Sequence, residues 1–190
     1  MLQPLKHILQ QKRIILASGS PQRKQLLQSI GLNFDITVSE FAEDLDLSSY
    51  KENLSQYVTA EHKCHHVLVD CSLNNIVYGK PSDKDDDFRI LKTFSNNTHQ
   101  VFTGVCILQG DMTMKTFFET TDVTFGSIDD ETIQAYIETG ESMNKAGAYD
   151  IQSLGATLVK KIDGDYFNVV AFLIYHFRTD LKTLINGEIK

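Results

Sequence analysis

Short apolar runs alternate with amphipathic stretches along most of the chain, and each change of period predicts an element. Ile14-Ile15-Leu16-Ala17 is a continuous apolar run, the pattern of a buried strand. Ser18-Gly19-Ser20 interrupts it. Pro21 then suits the first position of a helix, with Ser20 as its N-cap. Leu26, Leu27 and Ile30 give that helix an apolar stripe, and Gly31 closes it. A short strand is expected over Asp35 to Val38, an acidic irregular stretch over Glu40 to Ser48, and a helix over Asn53 to His66. Val67-Leu68-Val69 reads as another buried strand, ending at Asp70. Ile76 to Tyr78 reads as a short strand leading into Gly79-Lys80-Pro81.

The second half carries a different pattern. A helix over Asp83 to Phe94 is expected to turn Phe88, Leu91 and Phe94 inward. Val101 to Leu108 and Met114 to Phe125 form a hairpin around Gly110-Asp111. Ser127-Ile128-Asp129-Asp130 has capping-box spacing for a helix through Thr139, closed by Gly140. Ala156 to Ile162 is expected as a strand, Asp163-Gly164-Asp165 as a turn, and Asn168 to Leu184 as an apolar closing helix. Interleaved strands and helices with an antiparallel hairpin predict an α/β fold with a mixed sheet. The 190 residues suit a single domain spanning 1–190, or two closely packed lobes.

Composition narrows the function. An apolar fraction of 42% and a charged fraction of 23% are those of an ordinary globular chain. A net charge of −7 argues against a general nucleic-acid or anionic-membrane surface, yet leaves room for one small polyanion held by local cations and backbone N–H groups. Cys64, Cys71 and Cys106 are odd in number and not closely spaced, which points to a reducing compartment. Met1 to Gln11 lacks the apolar run of a signal peptide, and no stretch has the length of a transmembrane helix, so a cytoplasmic location is expected.

Leu16-Ala17-Ser18-Gly19-Ser20-Pro21-Gln22-Arg23 is the strongest chemical signal, because a strand feeds a small-residue loop and the loop feeds a helix N-terminus. Ser18 and Ser20 offer hydroxyl donors and Arg23 a charged fork, with Gly19 permitting close approach. A plain capped helix suits the same pattern, and local chemistry does not separate the two. Lys80, between Gly79 and Pro81, can point a compact charge at a phosphate or sit on a surface turn. Asp70 ends a strand, where a carboxylate can hold a divalent cation, take a proton from water, or merely start a turn. Glu40 follows its strand in the same way and is a second carboxylate candidate. His62 and His66 share a helix face, but no local residues complete a zinc set. Cys71 as a nucleophile would need a base that the sequence does not place beside it. Ala146-Gly147-Ala148-Tyr149-Asp150-Ile151-Gln152 suits a tight packing turn, or a pocket wall in which the Gln152 amide reads a polar base edge.

Taken in order, these segments resemble the Maf family of nucleoside triphosphate pyrophosphatases, from about Ile14 to Arg178. The pieces are Leu16 through Arg23, Val38-Ser39-Glu40, Lys63, Asp70, Gly79-Lys80-Pro81, His99 with Thr103-Gly104-Val105, Lys145 through Tyr149 with Ile151-Gln152, and Asp163-Gly164-Asp165-Tyr166. The resemblance implies an elongated, curved mixed sheet flanked by helices, with a cleft between two lobes. It implies metal-dependent cleavage of a nucleoside triphosphate to the monophosphate and pyrophosphate, a house-cleaning role, and a homodimer. Ile151-Gln152 looks like the dTTP/UTP group, other members of the family acting on modified nucleotides. Carried onto this chain, Mg²⁺ or Mn²⁺ is held by Glu40 and Asp70, and Asp70 activates water. Ser18, Ser20, Gln22, Arg23, Lys63 and Lys80 face the phosphates, and Gln152 faces the base.

The chain departs from the pattern at several places. Gln22 stands where the first of two arginines is usual, and Leu68-Val69-Asp70-Cys71 replaces Gly-Ala-Asp-Thr. The stretch from Asp70 to Gly79 is about two residues short. Ala171 and Leu173 replace Gly and Pro, and Asp150 and Ser153 replace glycines. The alternative these changes favour is a catalytically weakened nucleotide-binding regulatory module of the same fold.

Overall fold

Residues 2–38 and 68–187 are described by the structure, a computed structural model. The chain forms two compact units. One comprises Met1–Leu68, Gly104–Phe118 and Ala171–Lys190; the other comprises Val69–Thr103 and Glu119–Val170.

In the first unit, Pro4 opens a 3-10 turn, Gln3–Leu5, that runs into α1, Lys6–Leu9. Strand β1 is Ile15–Leu16, and it pairs in parallel with β2, Asp35–Ile36. The apolar run over Ile14 to Ala17 predicted a fully buried strand, but only Leu16 is buried and Ile15 is half exposed. A paired strand that packs on one face buries alternate residues only, whatever the hydrophobicity of the others. Helix α2 is Pro21–Ser29, with the Ser20 hydroxyl accepting from the Arg23 N–H as its cap. Leu26 and Leu27 turn inward and Gly31 takes positive φ just past the end, as the sequence predicts. Leu2, Leu5, Leu9, Leu16, Leu32, Val105, Phe117, Phe172 and Phe177 are also buried in this unit.

A five-stranded sheet has the order β4-β3-β5-β6-β7. Its strands are β3, Leu68–Leu73; β4, Ile76–Tyr78; β5, Thr98–Leu108; β6, Met114–Phe125; and β7, Val159–Asp163. The outer pairs β3–β4 and β6–β7 are antiparallel, while β1 and β2 pair in parallel in a separate two-stranded sheet. Strand β3 does not end at Asp70. It continues through Cys71, Ser72 and Leu73, because these three pair with Tyr78, Val77 and Ile76. Asn74 and Asn75 close that hairpin, both with positive φ, the geometry of a two-residue type I′ turn.

Helix α3 is Lys84–Phe94, capped by Asp83, and it packs on α4, Asp130–Glu138. Leu91 and Phe94 are buried as predicted, but Ile90 and Asp87 share that face and Phe88 lies at its margin. The cap of α4 is Asp129, accepting from the Thr132 N–H at 2.8 Å, so the helix begins two residues later than a Ser127 cap would place it. Residues Leu154–Leu158 form a 3-10 segment before β7, so the strand expected from Ala156 begins only at Val159.

The apolar stretch from Asn168 to Leu184 is likewise not one helix. Helix α5, Tyr166–Val169, is capped by Asp165, and α6, Ile174–Ile185, follows after a break. Ala171 sits in the break at φ +93°. Apolar periodicity cannot register such a break, since it is a backbone event at a residue type that rarely marks one.

Candidate active site

In the first unit the loop between β1 and α2 is tied together by its own polar side chains. Ser18 is buried; its hydroxyl accepts from Arg23 Nη1 at 2.8 Å and from the Ser20 N–H at 3.3 Å. Arg23 Nε donates to the Ala171 carbonyl at 3.2 Å, bringing a segment distant in sequence against the loop. These two contacts aim the guanidinium. Gln22 Oε1 accepts from the Ser20 hydroxyl at 3.2 Å. A Cβ at Gly19 would meet only the Val38 side chain, at ordinary contact distance, and its φ is not positive. The described residues therefore set no internal demand for glycine there, and open backbone suits a ligand that approaches it. Ser18, Ser20, Gln22 and Arg23 are thus brought together, at a helix start with no acidic residue in its first turn.

In the second unit three separate stretches meet. The Gly147 N–H donates to the Gly79 carbonyl at 3.0 Å, and Cys71 Sγ lies 3.6 Å from the Ala146 carbonyl. The Gly79-Lys80-Pro81 turn, the middle of β3 and the Ala146–Ala148 segment are therefore neighbours. Gly147 has φ +70°, and a Cβ there would overlap the Cys71 sulfur. Asp70 is half-buried, in line beyond the Cys71–Tyr78 pair just as Gly79 is on the other strand. Lys80 is exposed and Pro81 is buried, so the turn is anchored by its proline with the lysine outward. Gln152 is exposed, and its N–H donates to Asp150 Oδ1 at 2.9 Å. The other Asp150 oxygen pairs with Lys145 Nζ at 2.6 Å.

Behind these residues lies a buried aromatic cluster. His99 stacks on Phe94 at 4.0 Å, and its Nε2 is 3.0 Å from the Tyr149 hydroxyl. Burial pushes the His99 pKa down to about 3, so the ring is neutral at physiological pH. His99 and Tyr149, both within the segments that carry the Maf resemblance, thus support the Ala146–Ala148 backbone from the core. Burial also pushes the Cys71 thiol far up, with the Asp70 charge adding to it, which leaves no reactive thiolate.

Glu40 and Lys63 lie outside the described residues, as do His62, His66, Cys64 and the helix expected over 53–66. Among the described residues no group of three or more His, Cys, Asp or Glu side chains is gathered for a metal, and no helix is long and apolar enough to cross a membrane. The sequence reading missed Tyr136 and Glu141, which grip the Gln152 loop. Their only local signal is a glutamate directly after the helix-ending Gly140, since the contacts cross 13 or 14 positions.

The family model described as Maf-like protein matches residues 13–184. A protein of Bacillus cereus named dTTP/UTP pyrophosphatase is 38% identical over 182 residues, covering 90% of this chain and 89% of that relative. A Bacillus anthracis protein of the same name is 37% identical, covering 90% and 95%. A human protein named probable bifunctional dTTP/UTP pyrophosphatase/methyltransferase is 36% identical over 199 residues, covering 91% of this chain but 32% of its own length.

Proposed function

The chain belongs to the Maf-like family, and from that premise we propose that it hydrolyses dTTP and UTP to the nucleoside monophosphate and pyrophosphate. The similarity along 90% of the chain to relatives named for that activity carries the reading. The Ser18–Arg23 loop supports it, being a hydroxyl-lined helix start with an aimed guanidinium, the chemistry a polyphosphate needs.

In this reading Ser18, Ser20 and Arg23 take phosphate oxygens, and Arg23 and Lys80 offset the charge that develops on the departing pyrophosphate. Lys63 serves the same end. Gln22 contributes a neutral amide contact where an arginine would contribute charge. Asp70 takes the proton from a water whose oxygen attacks the α-phosphorus. The bond from that phosphorus to the α–β bridging oxygen breaks, and the electron pair leaves with pyrophosphate. Gln152 meets the uracil or thymine edge, since its amide both donates and accepts.

A divalent cation fits this donor chemistry. Mg²⁺ is commonly held by one or two carboxylates together with substrate phosphates, and Asp70 supplies one such carboxylate, with Glu40 expected as the second. Mg²⁺ or Mn²⁺ bound there would neutralise charge on the phosphate oxygens. Modified nucleotides are further candidate substrates, and a cytoplasmic protein acting as a homodimer is the setting proposed for it.

Product analysis with UTP, dTTP and modified triphosphates, with and without Mg²⁺ or Mn²⁺, tests the scheme. Pyrophosphate release that requires the metal and is abolished in Asp70→Asn is the expected result. Orthophosphate release would overturn it. The pairing of Gln22 with Ser20, where a second guanidinium would add charge, favours one other reading, a nucleotide-binding regulatory module. A wild type that binds UTP in calorimetry and never turns it over would establish that reading instead.

A further inference from the structure

The loop that carries Gln152 is held by side chains from outside it. Tyr136, on α4, donates its hydroxyl to Glu141 Oε1 at 2.9 Å and accepts from the Asp150 N–H at 3.1 Å. Glu141 Oε1 also accepts from the Gly155 N–H at 2.9 Å, and its Oε2 accepts from the Leu154 N–H at 3.3 Å. The loop is thus fastened at Asp150 on one side of Gln152 and at Leu154 and Gly155 on the other. A Cβ on Gly155 would lie 2.6 Å from the Asp150 carbonyl oxygen and 2.7 Å from the Tyr136 hydroxyl, so the backbone has no slack.

The Gln152 residue itself remains exposed. A fixed backbone bearing an exposed amide is the arrangement that recognition requires, because the ordering cost is met before the ligand arrives. Every group touching Glu141 in the bonds above is a donor, and an ionised carboxylate is the one side-chain group that accepts throughout. Burial pushes this carboxyl up, but the Gly155, Ser153, Tyr136 and Leu154 donors more than offset it, and the group titrates below the usual carboxylate range.

We propose that Glu141 is a positioning residue for nucleobase selection, holding the Asp150–Gly155 backbone so that the Gln152 amide presents one fixed hydrogen-bonding edge. This rests on the reading of Gln152 as the base-facing amide. Tyr136 acts with Glu141, bridging its carboxylate to the Asp150 N–H.

Glu141→Gln puts an amide N–H₂ against a donor and releases part of the loop. Hydrogen exchange across residues 150–155 and the kcat/KM values for UTP and ATP are to be measured in wild type, Glu141→Gln, Glu141→Asp and Tyr136→Phe. In Glu141→Gln the loop amides are expected to exchange about tenfold faster while those of β5 keep their rate, and the UTP-to-ATP preference falls about tenfold. Glu141→Asp keeps the acceptor set on a shorter arm and restores part of both. Tyr136→Phe removes one hydroxyl, shifts both readouts the same way, and decides the matter if Glu141→Gln does not fold. Unchanged loop exchange, or faster exchange with unchanged preference, overturns the positioning role. A wild type that turns over UTP and ATP alike overturns the base-facing role of Gln152, a failure visible without any variant.

Discussion

Ala171 holds φ +93°, where a Cβ is strained, and its carbonyl receives Arg23 Nε. The strained residue therefore also sets the direction of the guanidinium proposed to take phosphate. Ala171→Gly is expected to raise the unfolding free energy by about 1 kcal/mol, since relief of strain outweighs the added freedom of the unfolded chain. Urea titration would show it as a higher midpoint at unchanged slope. Gln22 is the second residue of interest. Its amide pairs with Ser20, so an arginine at that position would add charge to a loop that already aims one guanidinium. Gln22→Arg is expected to raise kcat/KM for UTP about tenfold, roughly 1.4 kcal/mol of transition-state stabilisation, in a pyrophosphate-release assay. Ser18 and Arg23 were legible as a pair from residue type and spacing. Their anchor at Ala171 was not, because it joins positions far apart in the chain.

The segments of the second unit meet backbone to backbone. Gly147 sits against Cys71 and Gly79 with positive φ, so Gly147→Ala is expected to cost more than about 2 kcal/mol through overlap and strain together. A lower thermal midpoint in calorimetry would register it. Helix α2 was legible because a cap, a proline and an apolar stripe agree. Helix α3 was legible in its extent, yet its inner face also takes Asp87, which no hydrophobic count would place there. Burial pushes the Asp87 carboxyl up, while a hydrogen bond from Ser142 works the other way. The end of β3 was misread because apolar residues stop at Val69, while pairing with β4 carries the strand onward. At Asp150, where the Maf pattern commonly has glycine, the side chain accepts from the Gln152 N–H and ties down the loop. A substitution away from glycine there adds constraint to the loop proposed to face the base.

Across the molecule, buried ionisable groups give stability a defined pH dependence. The His99 pKa falls to about 3 in the folded chain, against about 6.5 when unfolded. Between those values the unfolded chain binds a proton that the folded chain does not. This contribution is complete above the unfolded value and is lost as pH falls toward the folded one. Its slope is at most about 1.4 kcal/mol per pH unit for one proton. Asp87 works in the opposite sense. Its raised pKa lets the folded chain keep a proton that the unfolded chain gives up, so its term falls as pH rises between the two values. His99→Phe is expected to remove the rising term, and urea unfolding between pH 4 and 7 would show a flatter profile, whatever constant offset the lost Tyr149 contact adds.

The Asn74-Asn75 turn closes the β3–β4 hairpin with the fewest residues that such turns commonly use. Strand faces alternate with parity, so an odd change in length on one arm would send Asp70 to the face now held by Cys71. An even change, shared between the arms, removes one rung and leaves both faces as they were. A stretch about two residues shorter between Asp70 and Gly79 than in the Maf pattern is what the loss of one such rung would leave. A change of one whole rung would therefore leave the carboxylate of Asp70 on its side of the sheet.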